Sequence, residues 1–365
     1  MNVFDQWRNA AVAKPLAESI RSIAGERPIR IMEVCGGHTA AIYRFALQRM
    51  LPGTIQFLHG PGCPVCVTGT DFIDRAIAIA RAEKTTVASF GDLIRVPGST
   101  LSLAEARAAG SSVEVFYSAM DALEWAVHHP DRTVVFLAIG FETTACTIAA
   151  ALSEAVRRQV KNFRILSAMK TMPGALHALL SDSRTNVDAL ILPGHVCSVI
   201  GSQPFEFIAH ELRIPCVVSG FEPLDILESV RMLSCQLVEH RCEVEIQYRR
   251  AVKPSGNVAA QQIMEQMFEP VDMTWRGLGS IPASGLGVRR EYSAWDAASL
   301  AGKTAPSKEP PGCRCGDVLR GSIRPEECSL FGKACTPDRP RGACMVSSEG
   351  ACAAVYQFAG AEDEH

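Results

Sequence analysis

Fourteen cysteines run through this 365-residue chain, and their spacing separates those able to do chemistry from those that fill space. Cys63-Pro64-Val65-Cys66 is a C-x-x-C turn beside glycines. At the head of a helix such a turn stabilises its first cysteine as a thiolate, the geometry of thiol–disulfide exchange. Half of a structural metal site is the other reading, although no second C-x-x-C completes it. Cys35-Gly36-Gly37-His38-Thr39 offers a thiolate and an imidazole three residues apart, able to face one soft metal such as iron, with two glycines that let another molecule approach. A plain glycine-rich strand–helix turn would look the same. Cys313, Cys315, Cys328, Cys335, Cys344 and Cys352 crowd the last 53 residues, 313–365. The one tight pair there, Cys313-Arg314-Cys315, is too close for an ordinary zinc knuckle. The long remaining spacings suit a 4Fe-4S cluster on four thiolates, with zinc or redox disulfides as the alternatives. Cys146, Cys197, Cys216, Cys235 and Cys242 sit in or beside apolar segments and read as small core hydrophobes. Glu142, followed by two threonines, either caps a helix start or belongs to a site. His195 and Glu222 stand in equivalent strand-end turns and read as supporting polar groups. Asp92 is placed to position Arg95 or a partner.

The elements that must hold these residues alternate. Short β-rich runs are expected at Ile29–Val34, Ile55–Leu58, Thr86–Phe90, Val113–Phe116, Thr133–Ile139, Arg164–Ala168, Ala189–Leu192 and Cys216–Ser219. Helical stretches such as Asp71–Ala82, Leu101–Ala109, Met120–His128 and Thr143–Gln159 lie between them. Near-continuous apolar strands alternating with helices predict an α/β fold whose parallel sheets are covered on both faces. Many strands end in Gly- or Pro-rich turns: CGGHT, HGPGCPVC, GDLIRVPGS, GFETT, PGHVC and GFEP. In open α/β sheets the site lies beyond the carboxyl ends of the strands, so these turns should converge on one or two crevices. GFE occurs twice, at 140–142 and 220–222, hinting at two similar α/β halves. The expected division is a first α/β domain over 28–118, a second over 119–238, and a smaller cysteine-rich iron–sulfur domain over 239–365. Past about Glu239 the alternation stops, and 303–312 (KTAPSKEPPG) reads as a loop. Such a tail buries little apolar surface and suits a metal staple. The helix-like N-terminal segment within 1–27, roughly Trp7–Ala24, is expected to pack against it.

Bulk properties narrow the function. The net charge of −3 gives no electrostatic footprint for nucleic acid or an anionic membrane. No run of 18 apolar residues and no apolar signal core is present, so a cytoplasmic location is expected. In a reducing compartment structural disulfides are disfavoured, and clustered cysteines point to metal or redox chemistry.

Taken together and in order, CGGHT, GPGCPVC, GDLIRVPGS, GFETT, PGHV, GFEP and the ending CRCGDVLRG…ECSLFGKACTPDRPRGACMVSSEGACAAVY resemble the HypD family over nearly the whole chain. The family's cluster motif, C-x14-C-x6-C-x16-C, is met by Cys313, Cys328, Cys335 and Cys352, which the resemblance makes the 4Fe-4S ligands. Cys315 and Cys344 fall outside it. The resemblance further implies an assembly scaffold for the Fe(CN)2CO unit of NiFe hydrogenase, bound to a small HypC-type chaperone. Iron would sit transiently between a chaperone cysteine and Cys35, with His38 nearby. A HypE-type protein would deliver cyanide as thiocyanate, and Cys63 and Cys66, fed by the cluster, would supply or relay two electrons. That arrangement resembles ferredoxin–thioredoxin reductase. The hydrogenase large subunit would be served indirectly, by an assembly scaffold with redox activity rather than a conventional turnover enzyme. Two other functions compete: a stand-alone cluster-dependent thiol–disulfide reductase, and a metal-stapled binding protein without chemistry.

Overall fold

The computed structural model describes residues 6–300, 302 and 307–359; residues 303–306 of the expected loop lie outside them. All eight expected strands form, each within one residue of its anticipated ends: β1 Ile29–Glu33, β2 Ile55–His59, β3 Thr85–Ser89, β4 Val113–Val115, β5 Thr133–Ala138, β6 Phe163–Ser167, β7 Ala189–Pro193 and β8 Cys216–Ser219. Three more follow, β9 Val244–Ile246, β10 Phe268–Trp275 and β11 Gly279–Val288. β3 and β7 are buried at every position, as strands covered on both faces must be. The four anticipated helical stretches appear as Thr70–Ala80, Leu103–Ala108, Ala119–His128 and Glu142–Arg157.

The strands form two parallel sheets, ordered β2-β1-β7-β8-β9 and β4-β3-β5-β6, with β10 and β11 as an antiparallel hairpin. The fold is therefore α/β with two parallel sheets and a cysteine-rich C-terminal region. The sheets do not follow the expected boundary at 118/119. β3 and β4 pair with β5 and β6, whereas β1 and β2 join β7, β8 and β9 from the far end of the α/β region. Nor does the region after 239 lack strands. β9 closes the first sheet, and the hairpin lies on the second, with Leu286 N–H donating to Met169 O at 3.1 Å and Thr171 N–H to Ser284 O at 2.9 Å.

The N-terminal helix, Ala10–Ala24, is a correction. It is expected against the cysteine-rich segment, but it packs on the Pro223–Val238 helix, and its buried Ala13, Ile20 and Ala24 share a core with Ile31, Leu227 and Val230. A stripe of mostly small residues lets the two helices approach closely, and the first sheet's outer helix layer supplies the apolar face it needs. The final helix, Ala351–Ala359, instead packs on the Gly36–Arg44 helix. The cysteine-rich segment is thereby brought to the carboxyl edge of the first sheet.

Candidate functional site at the carboxyl edge of the first sheet

Register sets the site. Glu33 of β1 lies opposite His59 of β2 and Ile191 of β7, and Pro193 lies opposite Ser219 of β8. The turns carrying Cys35, Cys63 and Cys66, His195, and Phe221 thus leave the same edge of one sheet, where an α/β crevice belongs. The turns carrying Asp92 and Glu142 follow β3 and β5 of the other sheet.

Cys35 caps the Gly36–Arg44 helix through its backbone alone; its side chain makes no capping bond and stays available. Its N–H donates to Glu33 Oε2 at 3.1 Å, and Glu33 Oε1 takes the Thr39 hydroxyl at 2.5 Å and pairs with His59 Nδ1 at 2.8 Å. Tyr43 meets His59 Nε2 at 3.0 Å. A buried polar chain therefore fixes the turn from beneath. Cys35 Sγ lies 3.5 Å from His195 Nδ1. Burial, with the Glu349 and Glu33 charges adding to it, pushes the Cys35 thiol far up, outweighing the N–H groups of the helix start. A thiolate here needs a cation as partner, and binding one would release a proton.

The two histidines divide differently than the sequence suggests. His38 is fully buried, stacked on Phe221, and its Nε2–H donates to Gly220 O at 3.0 Å, while Nδ1 has no partner. Burial and the neighbouring His195 push it down to about 4. His195, read as a mere support, is the imidazole at the thiol; burial pushes it down to about 4 as well, so it is neutral and able to ligate. Its signal was available: HVC follows a strand, as CGGH does, but nothing local says that β7 lies beside β1.

Cys63 and Cys66 are joined by a disulfide with Cα atoms 5.2 Å apart, and Cys66 N–H points at Cys63 Sγ at 3.2 Å. Pro64 begins the short Pro64–Val67 helix. The loop before it is locked to the Cys35 turn: Gly36 N–H donates to Gly62 O at 3.1 Å. A Cβ on Gly62 would fall 2.2 Å from the Cys35 nitrogen, so only glycine permits this approach. On its other side Cys66 Sγ lies 4.0 Å from Ala343 O, in the cysteine-rich segment.

There, Cys313, Cys328, Cys335 and Cys352 line one cavity together with Cys315, amid Val318, Leu330, Phe331 and Met345. A Cβ on Gly342 would come within 2.5 Å of Cys313 Sγ and 2.9 Å of Cys315 Sγ. Cys344, which stands outside the spacing motif, donates its N–H to Cys315 Sγ at 3.4 Å and neighbours Ala343. Hydrogen bonds from Cys315 and Cys344 pull the Cys352 thiol down, favouring thiolate. Among the described residues no three His, Cys, Asp or Glu side chains converge as ligands of one metal ion. A cubane takes one thiolate per iron and needs its sulfurs further apart than a single ion does. The spread of thiols around this apolar cavity, Cys315 among them, fits such a cluster.

Glu142 begins the Glu142–Arg157 helix but reaches sideways, accepting the Met172 N–H at 2.8 Å, while Oε2 is buried without a partner. Burial pushes it up to about 7. Cys197 lies within electrostatic range of both Glu142 and Cys35. Cys197 and Cys216 are core residues, whereas Cys146, Cys235 and Cys242 are only half-buried. Lys170, unremarked in the sequence, is fully buried and pushed down to about 7 by burial. Its ammonium donates to Ala168 O at 3.1 Å and lies 5.6 Å from the Trp275 ring centre.

This α/β protein gathers a thiol–imidazole pair, a C-x-x-C cysteine pair and a thiol-lined cavity around one sheet edge. The HypD family model (Hydrogenase formation hypA family) matches residues 11–359. The chain is 44% identical over 373 residues to Hydrogenase maturation factor HypD of Rhodobacter capsulatus, with 99% of each chain covered. It is 45% identical over 368 residues to that of Rhizobium leguminosarum bv. viciae, covering 98% and 96%. To that of Escherichia coli (strain K12) it is 44% identical over 373 residues, covering 100% of both. The chain belongs to the HypD family of hydrogenase maturation factors. No helix among the described residues is long and apolar enough to cross a membrane.

Proposed function

We propose that this chain, with a HypC-type chaperone, holds iron at Cys35 while cyanide from a HypE-type donor and CO are added to build Fe(CN)2CO for a NiFe hydrogenase. The iron is cargo. Cys35 supplies a thiolate, a chaperone cysteine completes the grip, and His195 or His38 contributes an imidazole or a proton. The reduced Cys63–Cys66 pair cleaves the donor's thiocyanate. Two thiols give two electrons and two protons and close to a disulfide. The S–CN bond breaks, the donor sulfur leaves as a thiol, and cyanide passes to iron with loss of the second proton. Cys313, Cys328, Cys335 and Cys352 would hold a 4Fe-4S cluster, which when bound supplies one electron at a time. Cys315 lines that cavity and accepts the Cys344 N–H, and Cys344 adjoins Ala343, whose carbonyl faces Cys66, so the two thiols can pass electrons on to reopen the disulfide. Glu142, its carboxyl held near neutrality, is placed to exchange a proton on the Cys197 side.

The observation that supports this reading is the backbone interlock of Gly62 with the Cys35 turn, which ties the loop of the redox pair to the turn that carries the iron-type thiol. A stand-alone thiol–disulfide reductase would use the pair and the cluster but leaves Cys35 and His195 without work. The test is Cys35→Ala expressed in a strain lacking the native protein. Loss of the Fe(CN)2CO infrared bands and of hydrogenase activity, with the iron–sulfur absorbance kept, is expected. Normal maturation would sink the scaffold mechanism.

A further inference from the structure

Arg276 occupies the tip of the β10–β11 hairpin and is only 3% exposed. Its backbone N–H donates to Val67 O at 2.8 Å and its Nε–H to Thr68 O at 3.0 Å, the end of the C-x-x-C helix. Its Nη1 pairs with Glu309 Oε2 at 2.5 Å, four residues ahead of Cys313, and Glu309 Oε1 also takes the Thr70 hydroxyl at 2.9 Å. The next residue lies on the Cys315–Leu319 helix: a Cβ at Gly277 would fall 2.3 Å from Gly316 Cα, and Arg320 donates to Gly277 O. The guanidinium thus joins the dithiol segment to the entry of the thiol-lined cavity, and the neighbouring Gly277 sets the same hairpin tip against the cavity's first helix. Its Nη2 is buried with no partner. A buried charge with an unmet donor does not stabilise a fold by itself, since apolar replacements of such groups are often neutral or stabilising.

We infer that Arg276 is a positioning residue of the electron path, which clasps the C-x-x-C helix to the cluster-holding segment and raises the reduction potential of the bound cluster. The inference rests on the proposed 4Fe-4S site. Reduction adds one electron, and so one negative charge, to a group in a low-dielectric cavity. A fixed cation nearby favours the more negative state. Glu309, opposing that cation, works in the other direction.

The experiment is a redox titration of the anaerobically purified full chain, followed by electron paramagnetic resonance, with dithionite as electron source. Arg276→Gln should lower the cluster's reduction constant about tenfold or more, which for one electron is about 59 mV. Glu309→Gln, which leaves the cation without its partner, should shift the potential upward. Shifts of the same sign, or none in either variant, overturn the inference and leave Arg276 a structural clasp. Should Arg276→Gln fail to fold, Glu309→Gln decides alone, because that carboxylate is 57% exposed and its loss is tolerable. A wild-type chain that binds no iron and sulfide overturns the cluster reading, and this inference with it. An intact cluster indifferent to both substitutions overturns this inference only.

Discussion

Gly62→Ala tests the interlock on which the proposed chemistry depends. The added methyl would stand 2.2 Å from Cys35 N, 2.3 Å from Val34 C and 2.4 Å from Cys35 Cα, all backbone atoms that no rotamer change can move. Relief to an ordinary contact of about 3.5 Å requires the two loops to part by roughly 1 Å. The Gly36 N–H to Gly62 O bond, 3.1 Å long, spans the same gap and breaks. Overpacking of this kind costs about 1–3 kcal/mol, and the lost hydrogen bond about 0.5–1.5 kcal/mol more. The protein should still fold, with a lowered melting temperature. Function should fall further than stability, because a misplacement of about 1 Å between reacting groups costs on the order of 100-fold in rate. The assay is hydrogenase maturation in a strain lacking the native protein, with thermal melting in parallel. Gly53→Ala is the control, since a Cβ there meets nothing within 4 Å. Wild-type maturation by Gly62→Ala would refute the argument that the Cys35 turn and the loop of the cysteine pair must be interlocked.

Two further outcomes follow from the buried groups. Burial raises the Glu142 carboxyl from 4.5 to about 7, so folding disfavours its charged form. That penalty is absent below pH 4.5, grows as pH rises and levels off above about 7, at about 3 kcal/mol. Urea unfolding of Glu142→Gln at pH 5 and pH 8 should therefore show the variant gaining on the wild type at the higher pH; a constant difference would mean that the carboxylate is solvated after all. Ile20→Ala, at a fully buried position of the N-terminal helix, should cost about 2–5 kcal/mol in calorimetry while leaving iron and sulfide content unchanged. Loss of iron without loss of stability would place that helix against the cysteine-rich segment, contrary to the structure.

The strands of this chain were legible because parallel strands buried on both faces are short β-branched or near-continuously apolar runs, and β3, β5, β7 and β8 carry that pattern. β10 and β11 were not legible. β10 alternates half-buried and exposed residues around Pro270, and β11 carries Gly279, Gly285 and Gly287, so composition reads both as loop. Pairing order was hidden for a different reason. β1 and β7 have no local feature that seeks the other; their adjacency is decided by which faces the intervening helices leave to be covered. That order governs the site. It places His195 of the turn after β7 against Cys35 of the turn after β1, whereas the sequence-adjacent His38 is held by the Gly220 carbonyl. The same limit applies to charge: a cysteine at a helix start reads as a thiolate until burial beside Glu33 and Glu349 reverses it. Residue type and spacing therefore identify the chemical parts, while the contacts and protonation states that decide how the parts act come from sheet order and burial. A site assembled at a parallel sheet edge is the case where this gap is widest, because every neighbouring turn arrives from a distant stretch of chain.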